Sequence, residues 1–420
     1  MKILIISTYD TNGGAHKAAH RLHKALLEEG QQSIMLVQRK FTSDSTVLSK
    51  SGKFMQFISK ARYHIDQLPV IYYTKRTTTL FSPSWIPSSF IIKKINEIKP
   101  DIIHFHWICD GMIRINDLEK FNKPLVFSLH DMWLFTGGCH YNEDCLGYQN
   151  NCSKCKVLND SNNCYLSKLT FRRKVKTFSS ISGMTIIGLS KWIAKLGQNS
   201  TLLKQRSIKN LPNLVNTDNF YPVKKINART DLNLPKDKKL ILCGATTFNN
   251  NPRKGLSDII RALSIIDNDV IELIFFGNYN QDLIKSIGKR IHFLGYVSDE
   301  NEQKLIYSAV DLTLVPSHQE NLSLVIMESL ACGTPVVAFD IGGNSDMIEH
   351  KKNGFLAKPF SIEELKDGIE WILNNREYER ISQNARQKVL DEFDSKIVVN
   401  KYIELYKETI KNFNCASTLG

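Results

Sequence analysis

Two glutamates stand eight residues apart in SHQENLSLVIMESLACGTPVVAFDIGG, the stretch from Ser317 to Gly343. Glu320 lies among polar residues ahead of a helix-like apolar run, and Glu328 lies inside that run, among Leu324, Val325, Ile326, Met327 and Leu330. A carboxylate within an apolar helix is costly unless it meets a partner. Facing a ligand, Glu328 could accept two hydrogen bonds from vicinal ribose hydroxyls. Glu320, just outside the helix start, suits neutral hydroxyls or an electrophilic sugar carbon. Asn321 and Ser323 can cap the helix. The amides around Asn321, Leu322, Ser323 and Leu324 would then suit a phosphate.

Other residues with chemical potential also follow apolar, strand-like runs. Arg253 and Lys254, in TTFNNNPRKG, precede a helix expected near Leu256, and two cations at a helix start can clamp a diphosphate. The plain alternative is a solvated basic loop. Gly13 and Gly14, in TNGGAHKAAH, allow backbone amides to approach an anion closely. They do not form the GxGxxG dinucleotide fingerprint, which disfavours NAD, and an ordinary glycine turn is the alternative. His130 follows the run Pro124–Leu129 and could donate to a sugar hydroxyl or a developing negative charge, or it could be structural. His104 and His106 share one strand face and read as structural first.

Cys139, Cys145, Cys152 and Cys155 fall within 17 residues, and Cys164 follows. Four thiolates in a loop rich in glycine and asparagine suit a closed, tetrahedral structural zinc. Their intervals of six, seven and three residues are not those of a common finger. Loose thiols or a redox pair remain the alternatives.

These residues need elements to position them. A chain of 420 residues exceeds one ordinary core, so two domains are expected. Strand-like runs at Lys2–Tyr9, Ser33–Gln38, Asp101–Trp107, Pro124–His130 and Thr185–Ser190 alternate with helical periodicity, including a helix over His16–Glu29. A second set comprises Lys239–Ala245, Ile271–Gly277, Ile291–Val297, Leu312–Ser317 and Pro335–Asp340, and three helical stretches close the chain from Ile362 to about Phe413. This βα alternation predicts two doubly wound, parallel-sheet α/β domains of Rossmann type, with ligands at the carboxyl ends of the strands. The expected division is 1–213, carrying the cysteine-rich loop 139–164; 214–396; and a helix over 397–420 that returns to the first domain. LPNLVNTDNFYP, from Leu211 to Pro222, is the expected connector.

The net charge of +13 points to an acidic partner such as a nucleotide, phospholipid or nucleic acid. Nine cysteines without a secretory signal favour a reduced compartment. No apolar run approaches the ~20 residues of a membrane span, and MKILIISTYD reads as a strand rather than a signal peptide. Lys50–Lys94 holds eight Lys/Arg and one Asp, with Phe54, Phe57, Ile58, Tyr63 and Ile65 interleaved. It is either a basic interfacial segment on anionic lipid or a solvated helix face.

The Glu320/Glu328 pair, followed by ACGTPVVAFDIGG, resembles the retaining glycosyltransferases of family 4, which have the GT-B fold. Lys254-Gly255 matches that family's diphosphate lysine, Gly13-Gly14 its glycine loop, LPNLVNTDNF its connector and His130 its donor-facing histidine. The resemblance implies two Rossmann-like domains facing a cleft and a UDP- or GDP-sugar donor. It gives catalytic roles to Glu320, His130 and Lys254, with Glu328 on ribose and Lys254 on diphosphate, and no catalytic metal. The departing phosphate would help to deprotonate the acceptor in a front-face displacement, so no protein nucleophile is needed. Many members carry an arginine five residues before the lysine; Asn249 stands there in this chain, and Arg253 is the expected substitute. SLHDMWLFTGGCHYNEDCLGYQNNCSKC is similar to the subgroup that builds bacterial exopolysaccharides, colanic-acid-type enzymes among them.

The resemblance therefore implies a retaining hexosyltransferase acting on a glycan or lipid-linked acceptor in surface polysaccharide or capsule synthesis. It would be cytoplasmic, with peripheral contact at the inner face of the plasma membrane, and would take no nucleic acid. A nucleotide-sugar epimerase of similar fold is one alternative. A zinc-stapled, basic nucleic-acid-binding protein is another, and it leaves the two glutamates unexplained.

Overall fold

Ile3, Leu4, Ile5 and Ile6 are wholly buried in β1 (Lys2–Tyr9). A strand buried on both faces is the mark of a parallel sheet covered by helices. The structure is a computed structural model describing residues 1–50, 52–159, 165–247, 252–278, 284 and 287–418. By its Cα packing the chain divides into two compact units, one of Met1–Asn213 with Val399–Gly420, the other of Leu214–Val398.

The first unit also contains β2 (Gln32–Arg39), β3 (Val47–Leu48), β4 (Ile102–Phe105), β5 (Leu125–Leu129), β6 (Met184–Gly188) and β7 (Ser207–Asn210). They form a seven-stranded sheet in the order β3-β2-β1-β4-β5-β6-β7, parallel throughout. The helix predicted over His16–Glu29 runs from Gly14 to Glu28. It buries Ala18, Leu22, Ala25 and Leu26, spaced three or four residues apart along one face. The closing helix, Ser395–Thr418, passes from the second unit into the first, where it buries Tyr402 and Tyr406.

The second unit is built on β8 (Lys239–Thr247), β9 (Ile271–Asn278), β10 (Ile291–Gly295), β11 (Leu312–Val315), β12 (Val336–Phe339) and β13 (Gly354–Ala357). Its six-stranded parallel sheet has the order β10-β9-β8-β11-β12-β13. Each sheet grows outward from its first strand in one direction and then reverses. The reversals lie between β1 and β4 and between β8 and β11. Such switch points are where open α/β sheets form ligand crevices, because adjacent loops leave in opposite directions.

Candidate functional site

At the switch point of the second unit, three strand-end loops are tied together by backbone. After β8 comes a short turn, Pro252–Lys254, then Gly255 and the helix Leu256–Ser264. Gly255 has φ +69°, and a Cβ on it would stand 2.0 Å from the carbonyl oxygen of Pro316, just past β11. Only glycine permits that approach. The amide of His318 donates to the carbonyl of Arg253 at 2.7 Å, closing the same seam. After β12, Gly342 has φ +55°, and its Cβ would stand 1.8 Å from the carbonyl oxygen of Glu320. Gly343 N–H donates to that same carbonyl at 3.2 Å.

The result is contact between two side chains 66 residues apart: Lys254 Nζ lies 2.6 Å from Glu320 Oε2. Both are largely sheltered, with 29% and 13% of the side chain exposed. A cation able to meet developing negative charge therefore sits beside a carboxylate able to meet developing positive charge. His318 is bonded to Asp258, and its ring packs edge-on against Phe360 at 5.1 Å. Asn249 lies outside the described residues, and Arg253 stands partly exposed at the mouth of the loop.

Glu328 is 3% exposed, within the helix Leu324–Ala331. The sequence leaves a ligand as the explanation for its burial. In the structure Tyr307 OH donates to Glu328 Oε2 at 2.9 Å from a neighbouring helix, so the buried carboxylate also has a protein partner. The capping expectation also changes. Ser323 occupies the N-cap position without a side-chain capping bond, and Asn321 precedes that position, buried. Leu322 packs into the core, and Leu324 is the first helical residue.

At the switch point of the first unit, Gly13 (φ +107°) is the N-cap of the helix Gly14–Glu28, again without a side-chain cap. Next in that helix comes His16, whose Nδ1 shares a 2.7 Å hydrogen bond with Ser7 Oγ of β1. His16 packs edge-on against Trp107, with ring centres 5.3 Å apart. His130, just past β5, shares a 2.8 Å hydrogen bond through Nε2 with His106 Nδ1. Burial lowers the pKa of His130 to about 4 and that of His16 to about 3, so both are neutral at pH 7. A neutral imidazole can donate or accept according to its tautomer. His104 is structural, bonded to Tyr406 OH at 2.7 Å and Ser128 Oγ at 2.9 Å.

Asp131 is a member of this group that the sequence reading did not single out. It accepts bonds from Trp107 Nε1 at 2.9 Å, the Trp133 amide at 2.8 Å and His140 Nδ1 at 2.6 Å. The signal was present as an acidic residue directly after a strand-end histidine. His16 and Trp107 were missed because their proximity is created by sheet order, not by spacing.

Cys139, Cys145, Cys152 and Cys155 line one cavity of about 20 Å³, and all four are free thiols. Gly137 N–H donates to Cys152 Sγ at 3.2 Å and Gly147 N–H to Cys145 Sγ at 3.3 Å. Burial pushes the Cys139 thiol up to about 11 and Cys152 to about 12. Among the described residues, no group of three or more His, Cys, Asp or Glu side chains is already set in metal-holding geometry. Cys164 lies outside the described residues.

Residues 224–388 match the family described as Glycosyl transferases group 1. An uncharacterized glycosyltransferase of Methanocaldococcus jannaschii is 31% identical over 195 residues, covering 44% of this chain and 48% of that protein. The N,N'-diacetylbacillosaminyl-diphospho-undecaprenol alpha-1,3-N-acetylgalactosaminyltransferase of Campylobacter jejuni is 25% identical over 207 residues, covering 47% of this chain and 53% of that one. The chain thus spans about half the length of these curated relatives. Sucrose-phosphate synthase from Thermosynechococcus elongatus superposes with TM-score 0.69 at 18% identity, covering 98% of this chain and 99% of that one. Anabaena HepE in complex with UDP-glucose does so with TM-score 0.65 at 18% identity, covering 97% and 100%. The fold is GT-B, with two parallel-sheet α/β units.

Proposed function

We propose that this chain is a retaining glycosyltransferase that moves a sugar from a nucleotide-sugar donor to a lipid-linked glycan acceptor during bacterial surface polysaccharide synthesis. The observation that carries the reading is the Lys254–Glu320 contact at the β8/β11 switch point, inside the segment matched to a glycosyltransferase family. In this reading the Lys254 ammonium exchanges Glu320 for the donor diphosphate and stabilises the leaving group. Arg253, at the same loop, adds a second cation. Glu320 faces the transferred sugar, where positive charge develops at the anomeric carbon. Glu328 keeps Tyr307 on one oxygen and takes ribose hydroxyls as a further partner. The amides of Asn321, Leu322, Ser323 and Leu324 receive phosphate, and Gly13-Gly14 with His130 receive sugar hydroxyls.

A UDP donor is favoured by the UDP-glucose complex of Anabaena HepE, and a lipid-linked acceptor by the undecaprenol-linked substrate named for the Campylobacter relative. Attachment to an anionic membrane surface is supported by the helix Lys53–Ile71 and the residue after it. Phe57, Leu68, Ile71 and Tyr72 are exposed there, with Lys60, Lys75 and Arg76 exposed around them. Apolar side chains among cations suit the headgroup region of such a bilayer. Arg62 is half-buried instead, donating to the carbonyls of Gly111 and Pro87. No helix among the described residues is long and apolar enough to cross a membrane.

The test is a thermal-shift panel of UDP- and GDP-sugars, followed by transfer of the stabilising sugar to a polyprenyl-diphosphate-linked acceptor. Product with the donor's anomeric configuration is expected. Conversion of donor without acceptor would replace the reading with an epimerase.

A further inference from the structure

The segment from Gly137 to Asn159 has only one short turn of regular structure among its residues, Gly147–Gln149. Loops of this length need a packed interior or another restraint to hold one shape. Tyr148 and Cys152 reach the main core of the first unit, and the rest of the segment packs on a small apolar cluster: Val70, Phe81, Cys139, Cys155, Val157, Leu158 and Leu166. Cysteine supplies two of those seven buried positions.

Four cysteines of this segment line one cavity of about 20 Å³. That volume has room for one occupant of about the size of a water molecule. Backbone amides already donate to two of the four sulfurs. The Gly137 and Gly147 amides point at Cys152 and Cys145, and Cys152 takes a left-handed conformation at φ +49° to reach its place. A Cβ on Gly137 would lie 2.8 Å from Cys152 Cβ, so glycine is what lets that amide approach. Lys174 is fully buried beneath the segment. Its ammonium donates to the carbonyls of Trp133 and Thr136, the latter at 3.1 Å and directly before Gly137.

We propose that Cys139, Cys145, Cys152 and Cys155 bind one zinc ion as a closed, four-thiolate structural site, which goes beyond the transferase reading and does not depend on it. Binding displaces four thiol protons to solvent and forms four zinc–sulfur bonds, with no change of oxidation state. The product carries net charge −2, and the buried Lys174 ammonium offsets part of it. Because the thiols are not preset in ligating geometry, the ion itself draws the turns together. The site connects directly to the first unit's switch point. His140 follows Cys139 and holds Asp131 at 2.6 Å, while its backbone bonds Met132 and Leu80, both at 3.0 Å. The zinc staple thereby fixes the loop carrying Asp131 next to His130.

The experiment is elemental analysis of the full chain purified under reducing conditions without added metal, together with cobalt(II) chloride titrated into the chelator-treated chain. About one zinc per chain is expected in the unaltered protein. Cys145→Ser and Cys155→Ser should lose it, and Cys415→Ser, at an exposed cysteine outside the cluster, should keep it. Cobalt should give tetrahedral d–d bands and thiolate-to-metal charge transfer. Should the serine variants fail to fold, the cobalt spectrum of the unaltered chain decides alone. Absence of zinc with an octahedral cobalt spectrum would overturn the proposal. So would zinc retained at full level in folded Cys145→Ser and Cys155→Ser.

Discussion

Lys254 and Glu320 hold each other at 2.6 Å at the β8/β11 switch point. The donor diphosphate would therefore compete with Glu320 for the lysine. A partly exposed pair of this kind is worth about 0–1 kcal/mol. Glu320→Gln removes the competitor, so nucleoside diphosphate affinity is expected to rise by up to about fivefold. Turnover should fall by roughly two orders of magnitude, because the variant loses the charge facing the anomeric carbon. Calorimetry and a transfer assay on one preparation give both numbers. Normal turnover would remove Glu320 from the chemistry, and weakened nucleotide binding would show that it supports Lys254 instead of competing for it.

Lys254→Ala should reduce donor affinity, turnover or both, since charge builds on the leaving diphosphate. Arg253→Ala, measured beside it, tests the second cation. A wild-type rate for Arg253→Ala would leave Lys254 as the sole side-chain cation of this loop in the proposal.

Gly342→Ala is expected to damage both fold and activity. Its Cβ would stand 1.8 Å from the Glu320 carbonyl, and φ +55° is strained for alanine. Gly30→Ala is the control, with φ +71° but nothing within 4 Å of the added Cβ. The left-handed conformation alone costs roughly 1–2 kcal/mol. Any excess loss in Gly342→Ala, read from denaturant midpoints, measures the collision. Equal loss in the two variants would mean that the loops after β11 and β12 part easily.

The apolar runs behind β1, β4, β5, β8, β9, β11 and β12 were legible because a strand covered on both faces must be apolar throughout. The two-residue β3 was not, nor was β7, which is mostly exposed at a sheet edge and carries no apolar signature. β13, four residues of Gly354–Ala357, was too short to separate from its surroundings. Residue types at the candidate sites were legible, but their pairings were not. Lys254 with Glu320 and His106 with His130 are set by strand order and by which backbones glycine allows to touch, and Asp131 with His140 by the path of the chain after β5.

The histidines of the first unit predict a pH dependence with a definite sign. Burial depresses His16 to about 3, His23 and His130 to about 4 and His104 to about 3, against about 6.5 in an unfolded chain. Between those values the unfolded state binds more protons, so stability rises with pH. Unfolding midpoints should fall steadily as pH drops from about 6.5 toward 4. Midpoints unchanged across that range would show that these imidazoles protonate freely in the folded chain.

Glu328 and Tyr307 separate support of the fold from contact with a nucleotide. The carboxylate is buried and takes one bond from the Tyr307 hydroxyl at 2.9 Å. Tyr307→Phe removes that donor and leaves the charge in place. It should cost about 1–3 kcal/mol of stability, the penalty for a buried acceptor that loses a partner. Nucleotide affinity should change little, since the carboxylate remains to accept ribose hydroxyls. Glu328→Gln does the opposite. The amide can still meet Tyr307 through its oxygen, so stability should change less, while loss of a charge-assisted acceptor should weaken nucleotide binding by about 1.5–3 kcal/mol. Melting curves and calorimetric titration with UDP and GDP on both variants resolve the two roles. If Glu328→Gln binds both nucleotides as the unaltered chain does, the glutamate serves the fold, and the ribose role is withdrawn.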